Sequence, residues 1–180
     1  ILTSQMRRIQ LALGADSVEV SRQLNIQRVF LELGKKFPQI DRAEFVESAQ
    51  AAIDPLLTDT ERSAGQAQQL ATIAAAQILN PWFRFFIDYD PADDLRRLHC
   101  PVLAITGDKD VQVDAELNMA AMKQAFAAGG NQRTDLRIAP GLNHLLQHCT
   151  TGNIDEYESI EQTIEPVILE AVTKWILAIQ

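Results

Sequence analysis

The sequence predicts a mixed α/β protein, mostly helical: a helical first half, then a β-α-β-α second half forming one end of a parallel sheet. Three observations carry this. Helix-capping signatures recur at helix-length spacing through the first half. The short apolar run Val102 to Thr106 enters a Gly-Asp turn, as a strand buried on both faces does. A second such run, Leu136 to Ala139, follows a helical stretch, and two strands joined by a helix lie parallel.

The elements follow in order. Ile1 to Leu13 has helical apolar spacing and stops at Gly14. Asp16, three residues before Glu19, opens a helix to about Leu33, ended by Gly34. Asp41 with Glu44 repeats the signature before Phe45, Val46 and Ile53. Thr58 with Glu61 repeats it before the Ala-rich stretch up to Leu79. The texture changes at "NPWFRFFIDYDP", Asn80 to Pro91, which gathers Trp82, Phe83, Phe85, Phe86 and Tyr89. Pro91 to Leu98 fits a short helix, Val113 to Ala127 a longer one, and Thr163 to Ile179 a last one. The organisation expected is a helical region over 1–90 and the β-α-β-α region over 91–180. Two parallel strands make a poor sheet by themselves, because parallel strands want both faces covered. An exposed apolar patch and self-association through the strand edge or by exchange of helices are therefore expected. A clean monomer in light scattering at high concentration would count against this.

Composition narrows the function classes. The chain has 180 residues, 47% of them hydrophobic, and a formal net charge of −8. That charge argues against a nucleic-acid or anionic-membrane partner, since both require a basic face. No apolar run approaches the ~20 residues that cross a bilayer. The chain starts at Ile1 without an initiator Met, so the sequence reads as trimmed and the compartment stays open. Cys100 precedes the first strand and Cys149 follows the turn after the second. Those points lie at opposite ends of a strand about 17 Å long, beyond the ~7 Å reach of a disulfide. Both are read as free, small buried residues.

The chemistry gathers beyond the carboxyl ends of the strands, as it does in open parallel sheets. Asp108 and Asp110 stand just past the first strand and His144 just past the second, in "APGLNHLLQH". Loops at the ends of strands ~4.8 Å apart can touch. A carboxylate that orients an imidazole is the supporting half of a nucleophile–His–acid triad. An unrelated pair of loop residues remains the plain alternative at this point.

The blocks "NPWFRFFIDYDP", "CPVLAITGDKDVQV", "GGNQRTDLRIAPGLNHLLQ", "TGNIDEYESIEQTIEP" and "VTKWI", Asn80 almost to the end, resemble the cap and C-terminal half of an α/β-hydrolase. The branch is that of serine hydrolases of the esterase or dienelactone-hydrolase-like kind. The helical front resembles the family's cap less specifically. The resemblance implies that Asp110 of "GDKD" is the triad acid and His144 of "GLNH" the general base, with Asp108 a solvated turn residue. It implies hydrolysis of a carboxylic ester or related acyl bond, a small-molecule acyl substrate, and no cofactor. The family's Gly-x-Ser-x-Gly nucleophile has no counterpart among Ser4, Ser17, Ser21, Ser48, Ser63 and Ser159. The reading is a fragment that supplies acid and base without nucleophile or oxyanion hole, inactive alone. The rival reading is a helical protein-interaction module with a vestigial hydrolase tail.

Other features have plainer readings. The aromatics from Trp82 to Tyr89 are expected to pack a hinge or to line an acyl pocket. Met119 and Met122 are expected in the core. His144 and His148 have a four-residue interval, but no third ligand is near to make a metal site. His99 is given no role, and Arg7-Arg8 and Lys35-Lys36 are expected to be solvated.

Overall fold

The computed structural model describes residues 2–12 and 14–179. Its contacts divide the chain into two units, Asp16–Tyr89 and Ile1–Ala15 with Asp90–Gln180. The N-terminal helix α1 (Leu2–Ala12) thus belongs with the second half of the chain rather than with the helices that follow it. Ile1 and Leu13, the bounds expected for that helix, lie outside the described residues.

The unit 16–89 is all helical. Helix α2 (Ser17–Lys36) starts because the Asp16 carboxylate accepts the N–H groups of Val18 and Glu19, at 2.9 and 3.1 Å. It runs through Gly34 instead of ending there. Gly34 is needed for packing: a Cβ at this position would stand 2.4 Å from Ile78 Cγ2. Helix α3 (Arg42–Ile53) is capped by Asp41, which accepts the Glu44 N–H at 2.9 Å. Its residues Phe45, Ala49 and Ile53, four apart on one face, are fully buried. The Thr58–Glu61 signature forms a full capping box, but it opens only the short α4 (Asp59–Ser63). The chain breaks at Gly65, whose φ of 70° is left-handed, before α5 (Gln66–Ile78). One expected helix is therefore two. Arg22 ties α4 to α2, pairing with Glu61 at 2.8 Å as well as with Glu19 of its own helix at 2.7 Å. Ile26, Phe30, Phe45, Ile53, Ala71 and Ile78 lie at the heart of a single apolar core.

The aromatic stretch forms an additional helix, α6 (Pro81–Asp88), capped by Asn80 and started by a proline at its first position. Phe83 packs against the helical core. Trp82, Phe85, Phe86 and Tyr89 are exposed and stack in pairs, Trp82 on Phe86 at 5.4 Å and Phe85 on Tyr89 at 5.3 Å. Arg84 donates to the carbonyls of Pro38 and Ile40.

The other unit carries the sheet. After the short α7 (Ala92–Arg96) come β1 (Val102–Gly107), α8 (Ala115–Ala128), β2 (Thr134–Ala139) and α9 (Pro166–Ala178). The strands are parallel, in register from Val102 opposite Thr134 to Gly107 opposite Ala139. Buried Asn131 sets the entrance to β1, donating to the carbonyls of Leu98 and Cys100 at 2.9 Å each. The β-α-β-α order agrees with the sequence reading, but β1 is not buried on both faces. Only Gly107 of β1 is buried; Val102 to Thr106 are half-exposed. Leu103 and Ile105 line an apolar groove of about 310 Å³ with Leu146, Ile168, Val172, Trp175 and Ile176. Met119 and Met122 are half-buried rather than core. Among the described residues no single helix is long and apolar enough to cross a membrane.

Candidate active site

The parallel register places Gly107 and Ala139 side by side, so the loops leaving them start together. They are then stitched to each other. Asp108 N–H donates to the Ala139 carbonyl and Lys109 N–H to the Leu142 carbonyl, both at 3.0 Å. The exposed Asp108 is more than a solvated turn residue, since its carboxylate accepts the Gly141 N–H at 2.7 Å. Gly107 permits this closeness, because a Cβ there would stand 1.9 Å from the Leu142 carbonyl oxygen.

Asp110 stands in the first loop, only 3% exposed. Burying a carboxylate is costly unless donors replace water. Three do so. The N–H groups of Gln112 and Val113 both donate to Oδ1 at 2.8 Å, and His144 Nδ1 meets Oδ2 at 2.8 Å. A carboxylate only accepts, so Nδ1 carries the proton and Nε2 is left as the basic nitrogen. The His144 side chain is 38% exposed, and among the described residues nothing hydrogen-bonds Nε2. The two residues singled out in the sequence are thus in direct contact.

The surroundings brace the carboxylate. Gln112 Nε2 donates to the Tyr157 hydroxyl at 2.8 Å. Burial pushes the Tyr157 phenol pKa up, and the charge of Asp110 adds to this against the Gln112 bond. Glu156 accepts the N–H groups of Thr151 and Gly152 at 2.9 Å. Burial raises its pKa, but these backbone donors outweigh that and hold it lowered. Lys109 Nζ donates to the carbonyls of Cys149 and Thr150. Burial raises the Cys149 thiol pKa, and Glu156 adds to it. Cys149 is buried as expected, but Cys100 is exposed, against the expectation for it. Neither forms a disulfide.

Arg8 corrects another expectation. It is not a free solvated cation: it pairs with Asp114 at 3.0 Å and donates to the Asp110 carbonyl at 3.3 Å. The sequence marks none of Arg8, Gln112 and Tyr157 as site residues: Arg8 and Tyr157 lie far along the chain from Asp110, and the turn that brings the Gln112 N–H onto the carboxylate has no distinct signature. His148 pairs by backbone with Leu142 across the loop that carries His144. The Ser159 hydroxyl donates to the Glu156 carbonyl at 2.7 Å. Ser63 ends α4 in the helical unit, its hydroxyl on the Asp59 carbonyl.

Chemically, a buried carboxylate fixes the tautomer and plane of an exposed imidazole whose free nitrogen can take a proton. No family model, curated protein or solved structure matches this chain.

Proposed function

We propose that this chain supplies the acid and base of a serine hydrolase of the α/β-hydrolase kind, acting on carboxylic esters or related acyl bonds. The observation that carries the reading is the 2.8 Å bond between Asp110 and His144 Nδ1 at the carboxyl ends of adjacent parallel strands. In this reading the helices of 16–89 belong to a cap that selects substrate by shape. The half-exposed faces of β1 are surface on which more of a sheet, or a second copy, would pack.

The chemistry follows from the geometry. A serine hydroxyl, supplied by the parent protein, attacks the ester carbonyl while its proton passes to His144 Nε2. Asp110 stabilises the imidazolium that forms. The tetrahedral intermediate collapses to an acyl-enzyme as His144 returns the proton to the departing alkoxide. Water then repeats the sequence, giving the carboxylic acid and the free serine. This route uses no cofactor.

The test is labelling with a fluorophosphonate probe, with turnover of a short-chain p-nitrophenyl ester as a second readout. The parent protein should label and turn over. Asp110→Asn should lower its kcat by about 10⁴-fold, because the imidazole then loses its tautomer and orientation. The 180-residue chain should not label. An unreactive parent sinks the hydrolase reading, and labelling of the isolated chain sinks the assignment of the nucleophile elsewhere.

A further inference from the structure

We infer that Asn143 and Gln147 form a carboxamide clasp that positions the His144 imidazole on Asp110, making both of them positioning residues. The inference rests on the hydrolase reading for its catalytic meaning, but not for its structural content.

The first observation is burial without an apolar reason. Asn143 is fully buried and Gln147 is 6% exposed, while His144 and Leu145 between them are exposed. Burying two amides is costly unless each polar atom finds a partner. Here the partners of Asn143 lie within the loop. Asn143 Oδ1 accepts the N–H groups of Leu145 at 2.9 Å and Gln147 at 3.0 Å. Asn143 Nδ2 donates to Gln147 Oε1 at 2.9 Å. The Asn143 backbone N–H donates to the Gln147 carbonyl at 3.0 Å. One side chain therefore closes a five-residue loop with His144 at its second position.

The second observation is strain at the same place. Leu146 has φ 59°, and it is the single non-glycine residue with positive φ among those described. A left-handed conformation is unfavourable for such a residue, because its Cβ crowds the following carbonyl. It persists only where the surroundings over-determine it. Leu146 N–H donates to the Asn143 carbonyl at 3.0 Å, and its own carbonyl accepts the Glu165 N–H at 2.9 Å.

The third observation is anchorage. Gln147 Nε2 donates to the Gln162 carbonyl at 2.9 Å. With the Glu165 bond, this ties the loop to the segment that enters α9. Among the described residues neither amide hydrogen-bonds the imidazole. They act on it through the backbone, fixing where residue 144 leaves the chain and hence whether Nδ1 meets Asp110. Alanine at 143 removes the acceptor that gathers two N–H groups and strands those donors. Aspartate keeps that acceptor, but it buries a charge and sets an oxygen against Gln147 Oε1.

The experiment uses the 180-residue chain and nuclear magnetic resonance of the His144 ring, with isotope-labelled histidine. The parent sequence should show the Nδ1-protonated tautomer and a slowly exchanging downfield Nδ1 proton. Asp110→Asn identifies that resonance by abolishing it. Asn143→Ala should lose the resonance by exchange with water, while the amide spectrum of residues 16–89 stays unchanged, and Asn143→Asp, which keeps the acceptor for Leu145 and Gln147, should restore it in part. In the reactive parent protein, Asn143→Ala should lower kcat by about a hundredfold with KM little changed, the cost of misplacing a catalytic group. If Asn143→Ala does not fold, Gln147→Glu reads the same resonance: it keeps the acceptor for Asn143 Nδ2 but loses the donor to Gln162, and the resonance should weaken. An unchanged ring tautomer and exchange rate in a folded Asn143→Ala chain would overturn the clasp. A parent protein that fails to label with fluorophosphonate would overturn the hydrolase reading instead, leaving the ring measurement to stand.

Discussion

The two units of this chain close their apolar surfaces to different degrees. In the helical unit, helices α2, α3 and α5 face one another, and Phe45, Ala49, Ile53 and Ala71 are all fully buried. In the unit with the sheet, among the described residues β1 and β2 pair only with each other, and the residues of β1 before Gly107 stay half-exposed. Along α9, Val167, Leu169, Ile176 and Leu177 are exposed. A helix satisfies its own backbone and needs only one stripe covered, so a few helices complete a core. A parallel strand needs neighbours on both edges and cover on both faces. The better-covered core and the carboxylate–imidazole contact thus lie in different units: the first in the helical unit, the second, Asp110 on His144, in the unit with the open sheet.

The largest expected effect tests that contrast directly. Phe45→Ala should cost about 4 kcal/mol, as emptying a sealed core site does. Leu103→Ala, on half-exposed β1, should cost about 1 kcal/mol. Urea denaturation followed by far-ultraviolet circular dichroism measures both, and equal costs would break the comparison.

A smaller effect concerns the site within the open unit. Gly107→Ala places a Cβ against the Leu142 carbonyl, where no rotamer change relieves it. It should destabilise that unit by about 1–3 kcal/mol and part the loops of Asp110 and His144. The His144 ring proton resonance reports the loss, and its survival would show that the backbone yields elsewhere.

The smallest effect is a dependence on pH in the helical unit. The hydrogen bond from Arg22 holds Glu19 below its ordinary value of 4.5, and the Thr58 N–H does the same for Glu61. Because the folded-state values are the lower ones, the unfolded chain takes up protons first as the pH falls. The stabilisation is complete above 4.5 and disappears as the pH drops through the folded-state values. Solvent screening keeps it slight. The melting temperature of the helical unit should decline below that point, and Glu61→Gln should flatten the decline. An identical slope in the variant removes Glu61 from the account.

Part of this architecture is legible in the sequence. Asp16 and Asp41 announce helix starts because a cap is a contact between a side chain and the next turn. Thr58 announced one too, but the length of the helix depended on Gly65, whose left-handed φ the sequence left open. Gly34 misled for the opposite reason. Glycine is a common helix stop, and here it is an interior residue chosen for closeness to Ile78. Helix α6 was hidden because its rings suggested packing at a hinge or a pocket lining, while the Asn80-Pro81 start that defines it is short.

What the sequence determined alone was local or topological: caps, turns, the order β-α-β-α, and an acid and a histidine leaving adjacent strand ends. Each of these depends on neighbours a few residues apart or on the handedness of one crossover. What only the tertiary structure decided was which groups meet across the loops. Asp108 on the Gly141 amide, Arg8 on Asp114, and Gln147 on the Gln162 carbonyl depend on where distant segments meet in space. At the loops of Asp110 and His144 that meeting is set by the approach of Gly107 to Leu142 and by the left-handed backbone at Leu146, and no spacing along the chain encodes either.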